Sequence, residues 1–110
     1  MNQDIILTEA RKSQILEKAS NFAKYKSQRA GLDQYRKIVK ARLMKDAMVN
    51  GVTSVQAQER EAYASHEYEE TIEALELATR LETELYWELK IFDIEIQVWR
   101  TDQANKRNDI

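Results

Sequence analysis

Three carboxylates fall within five residues at Glu69, Glu70 and Glu73, and the single histidine, His66, stands one helical turn before Glu70. Side chains three and four apart share a helix face, so these groups would stand together on one surface. His66 and Glu70 could share a metal, but two ligands do not make a site, and no E-x-x-H pair is present. One histidine near a helix start does not assemble a Ser–His–acid set. The two glycines, Gly31 and Gly51, are twenty residues apart, so no Gly-rich phosphate loop exists. Without cysteine there is no thiolate site and no disulfide framework, which fits a reducing compartment. The expectation is no catalytic residue, no metal and no cofactor. The chain would act by binding.

Two sets of residues could serve binding. Lys26, Arg29, Arg36, Lys37 and Lys40 share an arc of about 100° if one helix runs through them. Each could neutralise a phosphate of a nucleic acid. A surface like this is more often solvated, or paired with an acidic helix of the same bundle. The second set is apolar. Tyr86 and Trp87 are adjacent, so they diverge by about 100° and cannot both face one partner. One of them is a candidate anchor of a protein interface. With Ile91, Ile94 and Val98 they form the candidate protein-binding residues.

The element that must position these residues is a long helix from Ser65 to Asn105, a stretch without Gly or Pro. Tyr68, Ile72, Leu75, Ala78, Leu81, Leu85, Leu89, Phe92, Ile96 and Trp99 recur in steps of three and four, one face of a helix. Ala74, Leu77, Ile91, Ile94 and Val98 form a second apolar row. A single partner helix would not cover both rows, so a homo-oligomer is expected. In the N-terminal half, Ile15, Leu16, Ala19, Phe22 and Ala23 share one face. Leu32, Tyr35, Ile38, Val39 and Leu43 share another, about half a turn away. Either the helix breaks or kinks near Gly31 or one straight helix buries opposite sides along its length; a break is expected, because Gly lowers helix propensity where the phase changes. Thr8 is a good N-cap, Gly51 a C′ residue, and Thr53 with Gln56 a capping box. Helices are expected at about 8–28, 32–49, 54–64 and 66–105, with a frayed tail at 106–110.

Composition agrees. The chain has 110 residues, no Pro and 33% charged residues, enough for one all-α domain built as an antiparallel hairpin or bundle. Its net charge of -2 conceals an asymmetry: residues 1–50 carry eleven Lys/Arg against five Asp/Glu, and residues 51–110 carry six against fourteen. A basic half can pair antiparallel with an acidic half and fix its register. The start, Met1-Asn2-Gln3-Asp4, lacks the basic head of a signal peptide, and Ile5-Ile6-Leu7 is too short for its apolar segment. No run reaches the ~20 apolar residues of a membrane span. A cytoplasmic protein without a membrane partner is expected.

Two resemblances carry functional implications. Glu69-Glu70-Thr71-Ile72-Glu73 reads E-E-x-x-E, which resembles half of the motif of the MazG-like nucleotide pyrophosphohydrolases. That family is all-α and holds Mg²⁺ on helix carboxylates to hydrolyse nucleoside triphosphates. Its second half is E-x-x-D on a following helix. Here Lys90 precedes Asp93 and Trp99 precedes Asp102 at that spacing, so the second half is missing. Over residues 35–107, Tyr35-Arg36-Lys37, Ala41-Arg42-Leu43-Met44, Arg60-Glu61-Ala62-Tyr63-Ala64, Tyr68 and Val98-Trp99-Arg100-Thr101 with Ala104 resemble small helical proteins from early regions of tailed bacteriophages. That resemblance implies an accessory role in phage DNA recombination or replication, in the host cytoplasm, with a phage or host protein partner or nucleic acid. Small phage helical proteins also include inhibitors of host defence, anti-CRISPR proteins among them.

Overall fold

In the computed structural model, residues 8–108 are described. Residues 1–7, read above for a leader segment, and 109–110, the end of the expected tail, lie outside them. Three helices follow in order: α1 (Glu9–Val49), α2 (Val55–Ala64) and α3 (His66–Asn108). The described residues are all helix and short turn, without a strand. Their contacts divide into two compact units, one holding residues 8–24 and 82–108, the other Tyr25–Leu81.

The expected break at Gly31 is absent: α1 runs unbroken across it. The reason lies in which side chains α1 covers. Arg11, Ile15, Lys18, Phe22, Tyr25, Arg29, Leu32, Arg36, Val39, Leu43 and Ala47 are buried or half-buried, and their spacing keeps to threes and fours throughout. Counting apolar residues alone misses this row, because four of its members are Arg or Lys. Their aliphatic stems cover apolar surface while the charged heads reach solvent. Leu16, Ala19, Ala23, Tyr35 and Ile38, placed on the inner faces by apolar counting, are exposed. Gly31 is also exposed, and a Cβ added there meets nothing within 4 Å. It is a solvent-side residue of a continuous helix.

Capping fixes the other boundaries. The Thr8 hydroxyl accepts from the Arg11 amide at 3.1 Å, as an N-cap should. At the far end of α1, Gly51 has φ +98, and Gly51 N–H donates to Met48 O at 3.1 Å while Val52 N–H donates to Ala47 O at 3.0 Å. This pair of bonds is the Schellman closure, and the left-handed conformation is why Gly stands there. The expected capping box is shifted by one residue. Ser54, not Thr53, caps α2, accepting from Ala57 N–H at 3.0 Å, so Gln56 is not at the reciprocal position. The tail departs from expectation too: residues 106–108 continue α3, closing with Lys106 and Arg107 at the negative end of the helix dipole.

In Tyr25–Leu81, three helical segments surround a small core. Val39, Ala47, Ala62 and Ala78 are buried there, with Gln58 and Thr71. Ala62 leaves no surface exposed, so α2 is seated through a residue with no bulk to spare. Both buried polar side chains are satisfied. Gln58 Nε2 donates to Val52 O at 2.8 Å, and Thr71 Oγ1 donates to Glu67 O at 2.9 Å. The Gln58 bond also holds the α1–α2 turn. Tyr63 and Tyr68 meet edge-on at 5.3 Å, and Lys40 Nζ lies 4.9 Å from the Tyr63 ring centre.

In the other unit, residues 9–24 of α1 lie against 82–108 of α3. Phe92 is its one buried residue among those described; Ile15, Phe22, Leu85, Leu89, Ile96 and Trp99 are half-buried. Arg11 pairs with Glu95 through contacts of 2.7, 2.8 and 3.2 Å, and its guanidinium stands 4.2 Å over the Phe92 ring. Lys18 pairs with Glu88 at 2.9 Å. Seven residues forward on α1, from Arg11 to Lys18, match seven backward on α3, from Glu95 to Glu88, so the helices of this pair run antiparallel. The opposite charges of the two chain halves thus set the register. Each partly exposed pair contributes only about 0.2–1 kcal/mol. Their larger role is to penalise wrong registers.

Candidate interaction surface

The acidic set stands on the solvent side of α3. Glu69, Glu70 and Glu73 are exposed, and His66 Nε2 meets Glu70 Oε1 at 2.8 Å with both side chains largely in water. Among the described residues, no group of three or more His, Asp or Glu is arranged to hold a metal ion.

The basic set divides. Arg36 bonds Asp33 at 2.8 Å, and the Asp33 carboxylate, followed by the Tyr68 hydroxyl, raises its pKa above the ordinary arginine value. Lys40 lies 3.6 Å from Glu59, and the Tyr63 hydroxyl, ahead of Glu59, raises the pKa of its amine. Arg29 is half-buried in the inner row of α1, while Lys26 and Lys37 are exposed. Arg42, outside the expected set, is paired with Glu67, which raises the arginine's pKa. Arg36 and Lys40 therefore have structural work within their own unit. The five cations are not presented as one uncommitted stripe.

The apolar set is arranged differently. The two rows of α3 separate cleanly. Every member of the row from Tyr68 to Trp99 is buried or half-buried, and every member of the second row, Ala74, Leu77, Ile91, Ile94 and Val98, is exposed. Tyr86 and Trp87 diverge as adjacent helical residues must. Tyr86 turns toward α1, with its ring 6.3 Å from Phe22, and Lys90 covers it at 5.4 Å. Trp87 points out with 61% of its surface exposed, in line with Ile91, Ile94 and Val98 at 56%, 59% and 42%. Spacings of four, three and four put these four side chains on one stripe about 17 Å long. Of the two adjacent aromatics, Trp87 is the more exposed and the one aligned with Ile91, Ile94 and Val98.

Single exposed apolar residues are ordinary on protein surfaces, but a contiguous row led by Trp is not. The geometry offers a flat apolar ridge with polar flanks, Lys90 and Gln97 on one side and Glu88 and Glu95 on the other. Such a ridge suits another helix lying along it. Apolar counting had not marked Met48, Val49 and Val55, which are exposed around the α1–α2 turn. They follow no helical period, so no sequence signal distinguishes them from ordinary turn residues. No described helix is long and apolar enough to cross a membrane. No family model, no curated protein and no solved structure matches the chain.

Proposed function

We propose that this chain is a non-enzymatic binding protein that works through the exposed ridge Trp87, Ile91, Ile94 and Val98 of α3. The carrying observation is the contrast between the two apolar rows of that helix: one is covered by the chain's own residues and the other is left bare. An uncovered Trp–Ile–Ile–Val row lowers solubility unless a partner removes it from water. The ridge favours a protein partner over nucleic acid, because Arg36 and Lys40 are engaged within the fold. The resemblance to helical proteins of phage early regions supplies the setting: an accessory factor in phage DNA recombination or replication.

The test is capture from phage-infected cells with immobilised wild type and Ile94→Glu. The wild type should hold a ridge-dependent partner, another copy of this chain or a recombination or replication protein, and the variant should lose it. An identical captured set for both proteins contradicts the ridge as the binding site. Release of pyrophosphate from a nucleoside triphosphate, abolished by Glu70→Gln, would contradict the non-enzymatic reading.

A further inference from the structure

We infer that the α3 ridge binds a second copy of this chain, antiparallel, about a twofold axis between Ile91 and Ile94. This rests on the reading of the ridge as a binding surface and supplies its occupant. The first argument is spacing. Trp87, Ile91, Ile94 and Val98 are separated by four, three and four residues, a sequence identical in both directions. An antiparallel copy therefore sets Ile91 opposite Ile94 and Trp87 opposite Val98. The largest side chain meets the smallest and the two isoleucines meet each other, which keeps the seam evenly filled. Self-complementarity of this kind is the requirement for an isologous contact. A parallel copy would stack Trp87 on Trp87 and Val98 on Val98, crowding one end and leaving a gap at the other.

Charge is the second argument. Glu88 and Glu95 flank the ridge and would repel their counterparts, but Lys18 and Arg11 of the same chain already pair with them at 2.9 and 2.7 Å. That flank arrives neutralised. On the other flank stand Lys90 and Gln97, which together bring no carboxylate. In the antiparallel arrangement Lys90 approaches the Gln97 side chain of the second copy, a neutral acceptor, and symmetry makes the contact twice.

Extent is the third. The stripe ends at Glu84 on one side and Thr101 on the other, the next positions of the same period. Its four side chains expose about 400 Å² of apolar surface per chain, judging from the size of aromatic and aliphatic side chains. Two copies remove about 800 Å² at the centre, and the flanks carry the total toward the ~1,000 Å² of a specific contact. The two-helix unit that carries the ridge buries one residue by itself, Phe92, among those described. A second copy adds the covering layer on the outer face.

Sedimentation equilibrium across about 1–100 µM, the range of ordinary reversible association, tests the proposal. The wild type should shift from one 12.9 kDa chain to two as concentration rises. Ile91→Glu should stay at one chain throughout, with unchanged helical circular dichroism and dilute melting temperature, because Ile91 is 56% exposed in its own chain. A wild type that stays a single chain overturns the dimer. If Ile94→Glu still abolishes capture in that case, the ridge binds a different protein and only the identity of the occupant has failed. The chain lacks Cys, so orientation can be read by oxidation. Val98→Cys alone should form no interchain disulfide, its two copies being about 16 Å apart along the axis. A mixture of Trp87→Cys and Val98→Cys proteins should form the mixed one. Disulfide formation by Val98→Cys alone overturns the antiparallel arrangement.

Discussion

Tyr25–Leu81 and the unit built from residues 8–24 and 82–108 use the same two long helices but finish their cores differently. The first has α2, ten residues that seat Ala62 with no exposed surface and bring Gln58 inside. The second has no third helix among the described residues, and one buried side chain, Phe92. Its half-buried row includes Leu85, Leu89, Ile96 and Trp99, large apolar residues a single neighbour cannot enclose. A third layer converts a pair of amphipathic helices into a closed core. Where the chain supplies that layer, Val39, Ala47, Ala62 and Ala78 are buried, with large residues such as Leu32, Ile72 and Leu75 half-buried around them. Where it does not, large residues line the pair and the ridge remains on its outer face. The binding surface is therefore expected on the two-helix unit.

Deleting the key packing residue of each unit should separate them. Phe92→Ala removes the sole buried ring of the two-helix unit, together with the support under the Arg11 guanidinium. It should destabilise by about 3–5 kcal/mol. The half-buried Trp99, truncated in the same way, should cost less than Phe92. A smaller loss at Phe92 than at Trp99 in thermal melts would place the centre of the unit elsewhere.

In Tyr25–Leu81 the sensitive change is an increase in volume. Ala62→Leu has no space to enter and should destabilise by about 1–3 kcal/mol. Gln58→Ala strands the Val52 carbonyl in the α1–α2 turn and should also cost about 1–3 kcal/mol, the effect of an unsatisfied buried polar group. Neither should alter self-association, because the ridge lies in the other unit. A monomeric Ala62→Leu protein that retains its helicity would show that the two behaviours are coupled.

Gly31 gives the smaller, opposite effect. Its backbone is helical, and nothing lies within 4 Å of an added Cβ. Gly31→Ala should stabilise by about 0.4–1 kcal/mol. A loss of stability would revive the kink that apolar counting suggested. The ion pairs give the smallest effect, and only at alkaline pH. The folded-state pKa of Lys40 is raised above the ordinary lysine value of 10.5 by Tyr63 and Glu59. A raised base contributes fully below its unfolded value and loses that contribution as pH rises through the folded one. Lys40 should therefore leave melting flat through neutral pH and lower it only above about pH 10.5. Lys40→Met should remove that part of the alkaline decline. An equal decline in the variant would assign it to other groups.

The sequence showed the covered row of α3 and the bare row beside it, because both consist of apolar residues at helical spacing. It showed that the basic half would answer the acidic half. It did not show the course of α1, whose inner row reads Arg11, Ile15, Lys18, Phe22 and onward through Arg29 and Arg36. Cations whose stems are packed and whose heads are paired do not register as core in a hydrophobic count. The same blindness made Arg36 and Lys40 look available for phosphate, since their carboxylate and tyrosine partners come from Asp33, Glu59, Tyr63 and Tyr68. Two of those partners lie on α2, whose position no period in α1 encodes. Which of Tyr86 and Trp87 turns toward the neighbouring helix needed the same tertiary information: Phe22 on that helix meets the Tyr86 ring.

Amide hydrogen exchange at two protein concentrations tests the contrast most directly. At about 1 µM, amides of residues 85–99 should exchange faster than those around Val39, Ala62 and Ala78, since local stability follows local burial. At about 100 µM, where association is populated, protection over 85–99 should rise while that around Val39, Ala62 and Ala78 stays the same. Equal protection in both regions, unchanged by concentration, would contradict the account: the two-helix unit would then be complete alone and its ridge would need no second copy.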